Sequence, residues 1–270
     1  MRTLVHLSDV HFGRVDARCL PPLVRTIHSL SPDLVAVSGD LTQRARRSQF
    51  AQARDFLRQL PLPQIVVPGN HDVPLFNLAV RFLGPFDGYR RYITNDLEPF
   101  FQDAELIVVG LNSARSLPFH GGGRLSEAQV TRAAARLAAA PPDAVRIVVT
   151  HHPFDLPQGH GDHDLIGRSA MAMARLAAVG ADLFLAGHLH VSHIGRTERY
   201  QIAGHAALVV QAGTLSTRER GEANSFNVLR LGRPDISIDR YTWHDDRKDF
   251  RVSSTSRFRH SHTGWVAAEP

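Results

Sequence analysis

The sequence predicts an α/β protein, and three of its features support that fold class. Short apolar runs alternate with segments of helical spacing through the first two-thirds of the chain, which is typical of strands layered against helices. The length of 270 residues fits one large domain. The hydrophobic fraction of 43% and the charged fraction of 21% are ordinary for a globular enzyme and exclude a disordered or fibrous class.

Six β-rich runs are the predicted buried strands of this alternating part. They are Thr3–Leu7, Leu34–Ser38, Gln64–Val67, Leu106–Leu111, Arg146–Thr150 and Leu183–Ala186. The predicted helices between them are Cys19–Leu30, Ser48–Leu60, Ser126–Ala140 and Gly167–Val179. Ser126 and Gln129 form a capping-box pattern, which predicts where the third of these helices begins.

Beyond residue 187 the pattern changes to strands without helices. The predicted strands are Val191–Arg196, Ala206–Ala212, Ser225–Leu231 and Asp235–Trp243, which we expect to form an antiparallel meander. The polar and basic stretch 245–270 is expected to be an arm on the domain or a disordered tail. The sequence therefore predicts a single domain over residues 1–244, followed by that arm or tail.

The segment 73–103 stands out as an aromatic-rich insertion between two predicted strands. It holds seven of the aromatic residues of the chain: Phe76, Phe82, Phe86, Tyr89, Tyr92, Phe100 and Phe101. Exposed rings there would stack a nucleobase, accept a lipid or self-associate. The alternative is that most of these rings pack the insertion against the core.

Charge and cysteine content narrow the classes of partner. The net charge of +5 comes almost entirely from scattered arginines, which suits a phosphoester substrate but predicts no stable complex with nucleic acid. Cys19 is the single cysteine, so an internal disulfide framework is excluded. The chain opens on an apolar strand without a signal-peptide pattern, and no apolar run approaches the ~20 residues of a membrane span. We therefore expect a cytoplasmic protein; a homodimer and peripheral membrane contact remain open.

Ligand-type residues follow the ends of five predicted strands. They are Asp9 and His11, Asp40, Asn70 and His71, His151 and His152, and His188 and His190. Because ligands bind where the strands of an α/β sheet end, these side chains can converge on one site. Each pair alone is more often a turn or a packed histidine pair. Their occurrence together predicts a metal site.

These residues resemble the signature of the calcineurin-like metallophosphoesterases, and within them the bacterial class III cyclic-nucleotide phosphodiesterases. The matching blocks are DVH at Asp9–His11, GD at Gly39–Asp40, GNHD at Gly69–Asp72, His151 after a strand, and GHLH at Gly187–His190. All five occur in order within residues 3–215, so the resemblance is specific. It implies two packed mixed β-sheets flanked by helices, a four-layer α/β/β/α sandwich.

The resemblance also implies a dinuclear metal centre with Asp40 as the bridging ligand. One metal would be held by Asp9, His11, Asp40 and His190, and the other by Asp40, Asn70, His151 and His188. Carboxylate, amide and imidazole ligands suit manganese or iron, and also zinc. The implied reaction is hydrolysis of a phosphodiester by in-line attack of a hydroxide that bridges the metals.

Two residues beside the ligands are the predicted catalytic pair. His71 is expected to contact the phosphoryl oxygen or to protonate the leaving alkoxide, with Asp72 orienting its ring. A helix N-cap is the alternative for Asp72. His152 is expected to point away from its neighbour His151 and to have a supporting role.

A motif that is absent from the sequence narrows the range of possible substrates. The block GDLTQRA departs from the GDxVDRG pattern of protein phosphatases, which argues against that branch of the family. The resemblance to the bacterial cyclic-nucleotide phosphodiesterases implies a small soluble diester, such as a cyclic nucleotide, as substrate. A phosphomonoesterase, a phospholipid or head-group phosphoesterase and a non-catalytic scaffold are the alternatives. Candidate phosphate clamps are Arg44, Arg47, Arg115 and Arg196, for which a solvated surface role is the other interpretation.

Overall fold

The computed structural model describes residues 1–116, 122–156, 161, 164–197, 206–218 and 220–268. The strands are β1 Arg2–Leu7, β2 Leu34–Val37, β3 Gln64–Val66, β4 Phe100–Gln102, β5 Leu106–Gly110, β6 Val145–Val149, β7 Leu183–Ala186, β8 His193–Arg196, β9 Leu208–Gln211, β10 Ser225–Leu231, β11 Asp235–His244, β12 Asp249–Ser261 and β13 Gly264–Ala267. The α-helices are α1 Leu20–Leu30, α2 Arg47–Leu57, α3 Leu78–Leu83, α4 Asp87–Tyr92, α5 Glu127–Ala138 and α6 Ser169–Ala178, and a 3₁₀ turn covers Asn70–Asp72.

The strands form two mixed sheets. One has seven strands in the order β13-β12-β11-β10-β1-β2-β3, and the other has six in the order β4-β5-β6-β7-β9-β8. β1, β2 and β3 are parallel, as are β5, β6, β7 and β9. Helices α1 and α2 connect β1, β2 and β3, and helices α5 and α6 connect β5, β6 and β7, whereas β9 follows β8 in the chain.

Three apolar clusters hold the layers together, and they explain the four-layer order. One lies between the sheets and includes Leu4 and Leu185. A second packs Leu23 of α1 and Phe56 of α2 on the outer face of the seven-stranded sheet. The third packs α5 and α6 on the outer face of the six-stranded sheet, with Leu137 at its centre. Successive buried side chains along a strand point to opposite faces of the sheet and pack into a different apolar cluster on each face. This arrangement confirms the α/β/β/α sandwich.

The C-terminal stretch 245–270 differs from the expected arm or tail. Residues 249–261 and 264–267 are β12 and β13, which extend the seven-stranded sheet by antiparallel pairing with β11. Phe258 and Trp265 enter the cluster between the sheets, and Trp265 Nε1 donates to Asp182 at 2.9 Å. The prediction missed this because β12 has a largely exposed, polar sequence with no apolar alternation.

The expected meander is also only partly correct. β10, β11, β12 and β13 do form consecutive antiparallel pairs. β8 and β9, however, belong to the other sheet, where β9 is parallel to β7. The sequence pattern does not show which sheet a strand joins, because both sheets bury apolar side chains on two faces.

The aromatic-rich insertion 73–103 contains α3, α4 and β4, and its rings have two kinds of surroundings. Tyr89 is fully buried and donates through its hydroxyl to the Val66 carbonyl at 2.9 Å. Phe76 and Phe82, in contrast, are 77% and 49% exposed. Part of the insertion therefore packs on the core while α3 presents apolar side chains at the surface. Within the described part of the chain, none of the helices has the length and apolar character needed to cross a membrane.

Candidate metal centre

Two sets of parallel strands end at one edge of the molecule. We call the loops that follow β1, β2, β3, β6 and β7 the metal rim, and they carry the seven predicted ligands Asp9, His11, Asp40, Asn70, His151, His188 and His190. Side chains from the two sheets meet there, since His151 Nε2 lies 2.9 Å from Asn70 Oδ1. The structure thus brings all seven residues together.

The first group of ligands consists of Asp9, His11, Asp40 and His190, which are all buried. The Nε2 atoms of His11 and His190 are 3.0 Å apart, and His190 Nε2 is 3.2 Å from Asp9 Oδ1. His190 Nδ1 donates to the Arg218 carbonyl at 3.0 Å. This bond leaves a lone pair on Nε2 that faces the other ligand atoms.

The second group is built from His151, His188 and Asn70. His151 Nδ1 donates to the Ser38 carbonyl at 2.8 Å, so its Nε2 faces the Asn70 amide oxygen. His188 Nδ1 lies 3.2 Å from the same oxygen. Nitrogen and oxygen atoms that bind cations therefore converge here as well.

Asp40 lies between the two groups. Its Oδ2 atom is 3.6 Å from His11 Nε2 on one side and 3.4 Å from His151 Nε2 on the other. Its Oδ1 atom accepts the backbone N–H of His71 at 2.8 Å, which fixes the carboxylate plane. One oxygen of this residue thus faces both ligand groups, as a bridging ligand must.

The backbone of the metal rim is held in an uncommon conformation. Asp9, His11, Asp40, His188 and His190 have φ values of 54°, 51°, 52°, 72° and 60°. Residues other than glycine rarely adopt this left-handed region, and where they do, the cost is usually met at a functional site. Gly187 is needed beside them because a Cβ there would lie 1.8 Å from Ser8 Oγ. Local backbone strain at these positions orients the ligand side chains.

Electrostatics keep the rim carboxylates ionised. Burial alone would raise the pKa of Asp9, but His190 and His11 hold it well below its usual value. The pKa of Asp40 is likewise lowered, because His151 and His71 outweigh the effect of burial. Conversely, burial would lower the pKa of His151, yet Asp40 raises it to about 9. Two buried carboxylates thus depend on positive charge in their immediate surroundings.

Two buried atoms at the rim show what kind of charge fits. Asp9 Oδ1 and His11 Nδ1 have no hydrogen-bond partner within the described structure. When His190 is neutral, its proton is on Nδ1, which donates to the Arg218 carbonyl, so its Nε2 atom, which faces His11 Nε2, carries no proton. Carboxylate, amide and imidazole groups in this arrangement are the ligands of divalent metal ions. The residues present therefore fit a dinuclear metal centre.

Comparison with known proteins agrees with this geometry. A family model described as calcineurin-like phosphoesterase matches residues 2–192 of the chain. The protein belongs to the calcineurin-like phosphoesterase family. The expected enzyme class, a phosphoric ester hydrolase, agrees with the description of this family.

Curated relatives of this calcineurin-like phosphoesterase include named phosphodiesterases. The chain is 28% identical over 182 residues to a probable glycerophosphodiester phosphodiesterase GpdQ of Arcobacter nitrofigilis, covering 63% of this chain and 64% of the relative. It is 30% identical over 174 residues to the glycerophosphodiester phosphodiesterase GpdQ of Enterobacter lignolyticus, covering 60% of each. A probable cyclic nucleotide phosphodiesterase of Synechococcus is 28% identical over 123 residues, covering 46% of this chain and 43% of the relative. The match spans less than two thirds of the length of each relative.

Solved structures confirm the fold. The purple acid phosphatase PPD1 of yellow lupin superposes with a TM-score of 0.67 at 13% identity, covering 95% of this chain and 53% of the lupin chain. A dimetal phosphatase of Danio rerio gives a TM-score of 0.63 at 14% identity, covering 88% of this chain and 95% of the other. At such low identity the likeness concerns the fold alone.

His71 of this calcineurin-like phosphoesterase lies beside the rim. Its ring packs edge-on against that of His11, with centroids 4.9 Å apart. His71 Nδ1 donates to the Gln43 carbonyl at 2.9 Å, and Nε2 faces Arg218 Nη1 at 3.1 Å. The Gln43 carbonyl therefore fixes the ring, and the expectation that Asp72 orients it is wrong.

Asp72 is buried behind His71 and connects two loops of the rim. Its carboxylate accepts the backbone N–H groups of Thr42 at 2.8 Å and of Gly69 at 2.9 Å. Burial and the nearby Asp40 raise its pKa to about 6. The residue is the last of a 3₁₀ turn and not an N-cap, although it does hold the amino end of that turn.

His152 does not point away from the site as expected. Its ring centroid is 4.6 Å from that of His188 and 4.9 Å from that of His151. Its Nδ1 atom lies 2.8 Å from Ser113 Oγ. The rings of both adjacent histidines therefore lie beside that of His188.

The arginines near the site differ from the predicted set. Arg44 lines a cavity beside His71, whereas Arg47, Arg115 and Arg196 are not part of the described wall of that cavity. Arg218, which the sequence analysis missed, approaches both His71 and His11, the latter at 3.4 Å. Burial lowers the pKa of Arg218, and Asp40 and Asp9 act in the opposite direction. Arg218 follows no ligand motif, so the sequence offered no signal for it.

Proposed function

We propose that this protein hydrolyses a small soluble phosphodiester with two divalent metal ions, manganese or iron by preference. The ligands would be Asp9, His11, Asp40 and His190 for one ion, and Asp40, Asn70, His151 and His188 for the other. Zinc is an alternative occupant, because the same ligand types accept it.

The observation that carries the proposal is the position of Asp40. A single carboxylate oxygen lies within 3.6 Å of histidine nitrogens from both ligand groups. A mononuclear site would not need a second set of ligands on the far side of the bridging carboxylate. When bound, two such ions lower the pKa of water and neutralise the charge of a phosphoryl group during in-line displacement.

The residues of the chain itself would bind and orient the ester. Arg218 presents its Nη1 atom between His71 and His11, where a guanidinium can hold a non-bridging phosphoryl oxygen. His71 Nε2 faces the same space and can hold or donate a proton at the leaving oxygen. Burial lowers the pKa of His71, so the ring is mainly neutral near pH 7 and would protonate a leaving oxygen only after taking up a proton.

The preference for a diester is supported by the relatives. Two of them are named glycerophosphodiester phosphodiesterases and the third a cyclic nucleotide phosphodiesterase, so all three names describe diester cleavage. A cyclic nucleotide and a glycerophosphodiester are therefore the two substrates to be compared. A phosphomonoesterase is the alternative activity for the same centre.

The proposal is tested by a matched panel of esters. The protein is reconstituted with Mn²⁺ and, separately, with Fe²⁺ and Zn²⁺, and assayed with bis-p-nitrophenyl phosphate, p-nitrophenyl phosphate, cyclic AMP and sn-glycero-3-phosphoethanolamine. We expect cleavage of diesters to exceed cleavage of the monoester. Activity confined to the monoester would replace the proposed reaction with phosphomonoester hydrolysis, and no activity with any metal would favour a scaffold.

A further inference from the structure

A cavity of about 620 Å³ opens beside the metal rim. We call it the arginine cavity, because Arg14, Arg44, Arg46 and Arg218 line it together with His71. A space of this size accommodates part of a small molecule rather than a macromolecule. Since Arg218 and His71 also face the rim, the cavity lies where a substrate bound at the metal centre would extend.

Within the described part of the chain, no carboxylate forms an ion pair with the arginines of this cavity. The described wall contains no carboxylate, and none of the four arginines forms an ion pair with another described residue. Elsewhere in the molecule arginines are paired closely, as with Arg18 and Asp16 at 2.7 Å or Arg233 and Asp182 at 2.7 Å. Four unpaired guanidinium groups around one space repel each other unless an anion lies among them.

The amino end of helix α2 adds to the positive charge. The helix begins at Arg47, has no acidic residue in its first turn, and has no capping hydrogen bond from the side chain of its N-cap Arg46. Gln49 Oε1 accepts the backbone N–H of Arg46 at 3.4 Å, but no carboxylate in the first turn compensates the positive end of the helix dipole. Gln49 Oε1 accepts the backbone N–H of Arg44 at 2.9 Å, which holds the loop independently of the arginine side chains.

Arg44 is positioned by an aromatic ring of the insertion. Its guanidinium carbon lies 5.3 Å from the centroid of Phe76, whose ring is 77% exposed. Stacking on a ring leaves the edge of the guanidinium plane free to donate to an anion. The side chain is therefore partly ordered for binding before a ligand arrives.

We infer that the arginine cavity is an anionic subsite that binds a second phosphoryl group of the substrate, beyond the one that is cleaved. The inference rests on the proposed phosphodiesterase function and narrows its substrate class to small diesters with two phosphoryl groups. Arginine forks match phosphoryl oxygens in pairs, which favours this group over a single carboxylate. Simple cyclic mononucleotides would leave the cavity unused.

The test compares two substrates that differ by one phosphoryl group. These are thymidine 5′-(p-nitrophenyl phosphate) and the same compound with a 3′-phosphate. We expect kcat/KM of the Mn²⁺-loaded protein to be higher for the 3′-phosphorylated compound by about tenfold or more, mainly through KM. The double variant Arg44→Gln with Arg46→Gln is expected to lose this preference.

The matched control is Arg25→Gln, which removes the same charge from an exposed position on α1 and is expected to keep the preference. Equal turnover of both compounds by the unmodified protein would overturn the subsite and leave the phosphodiesterase standing. Cleavage of neither would overturn the proposed function. In that case calorimetry with thymidine 3′,5′-bisphosphate decides: binding that requires Arg44 and Arg46 supports the subsite, and absence of binding overturns it.

Discussion

The metal rim and the arginine cavity meet at His71 and Arg218, yet they are built in different ways. Most rim residues are buried, while Asn70 and His188 are partly exposed; all follow strand ends, and several lie in the left-handed backbone region. In the cavity, Arg14 and Arg46 are exposed on loops that hydrogen bonds of other groups hold in place. The backbone thus orients a rim side chain, whereas a cavity side chain acts through its charge. We expect rim substitutions to affect all substrates and cavity substitutions to affect substrate choice.

The largest effect is expected from Asp40→Ala at the centre of the rim. Removing the carboxylate that lies between both ligand groups should lower kcat/KM for every ester by roughly a thousandfold or more, together with loss of bound metal. Metal content by mass spectrometry and initial rates measure the two effects. Asp55→Ala, an exposed position on α2, is the control. An Asp40→Ala protein with full metal content would contradict the site assignment.

This first prediction concerns the part of the molecule that is readable from the sequence. Asp40 and His188 each follow a glycine, and Asp9 lies two residues before the ligand His11, all at the ends of apolar runs, so short motifs carry the information. Arg218 and Gln43 are different, because their places depend on how loops from distant parts of the chain meet. Gln43 acts through its backbone carbonyl, which any residue would provide.

The fold likewise has elements that the sequence predicts well and elements that it does not predict. Strands with buried, β-branched side chains, such as β2 and β5, were predicted within one residue of their observed ends. β12 was missed, since a largely exposed strand has no apolar pattern and its pairing depends on β11 already being in place. Two residues of this stretch, Phe258 and Trp265, belong to the core, and both chain neighbours of Phe258 are arginines.

The next effect in size is expected from His71→Gln. The variant should retain both metals, because His71 lies beside the ligands without being one of them, while kcat falls by roughly a hundredfold or more through loss of proton transfer. Stopped-flow rates with bis-p-nitrophenyl phosphate and metal analysis test this. His28→Gln, exposed on α1, is the control. Unchanged kcat would remove His71 from the reaction and leave the metal centre untouched.

A smaller effect is expected from Arg218→Gln, at the point where rim and cavity meet. Loss of one guanidinium contact to the scissile phosphoryl group should reduce kcat/KM by about tenfold for diesters with and without a second phosphoryl group. Arg25→Gln should have no effect on either. A loss confined to the doubly phosphorylated compound would instead assign Arg218 to the cavity alone, and the boundary between the two regions would move.

The smallest effect on activity is expected beneath the rim, at His6. This fully buried histidine lies 2.9 Å from Ser38 Oγ, and the Ser38 carbonyl in turn accepts the proton of His151. Burial lowers the pKa of His6 from 6.5 to about 3. Between pH 6.5 and about 3, His6 binds a proton in the unfolded chain but not in the folded chain. The free energy of unfolding therefore rises with pH across this range and decreases as the pH falls.

The contribution of His6 to that slope is about 1.4 kcal/mol per pH unit. His6→Asn should therefore show a shallower fall in stability between pH 6 and pH 4, with turnover near pH 7 little changed. Urea unfolding of both proteins in the presence of a chelator measures the difference without interference from metal release. Equal pH dependence of the unfolding free energy in the two proteins would mean that His6 is protonated in the folded state. A large loss of turnover in the variant would mean that the position of the metal rim depends on contacts of His6. That loss of turnover would weaken the view that backbone conformation alone positions the metal ligands.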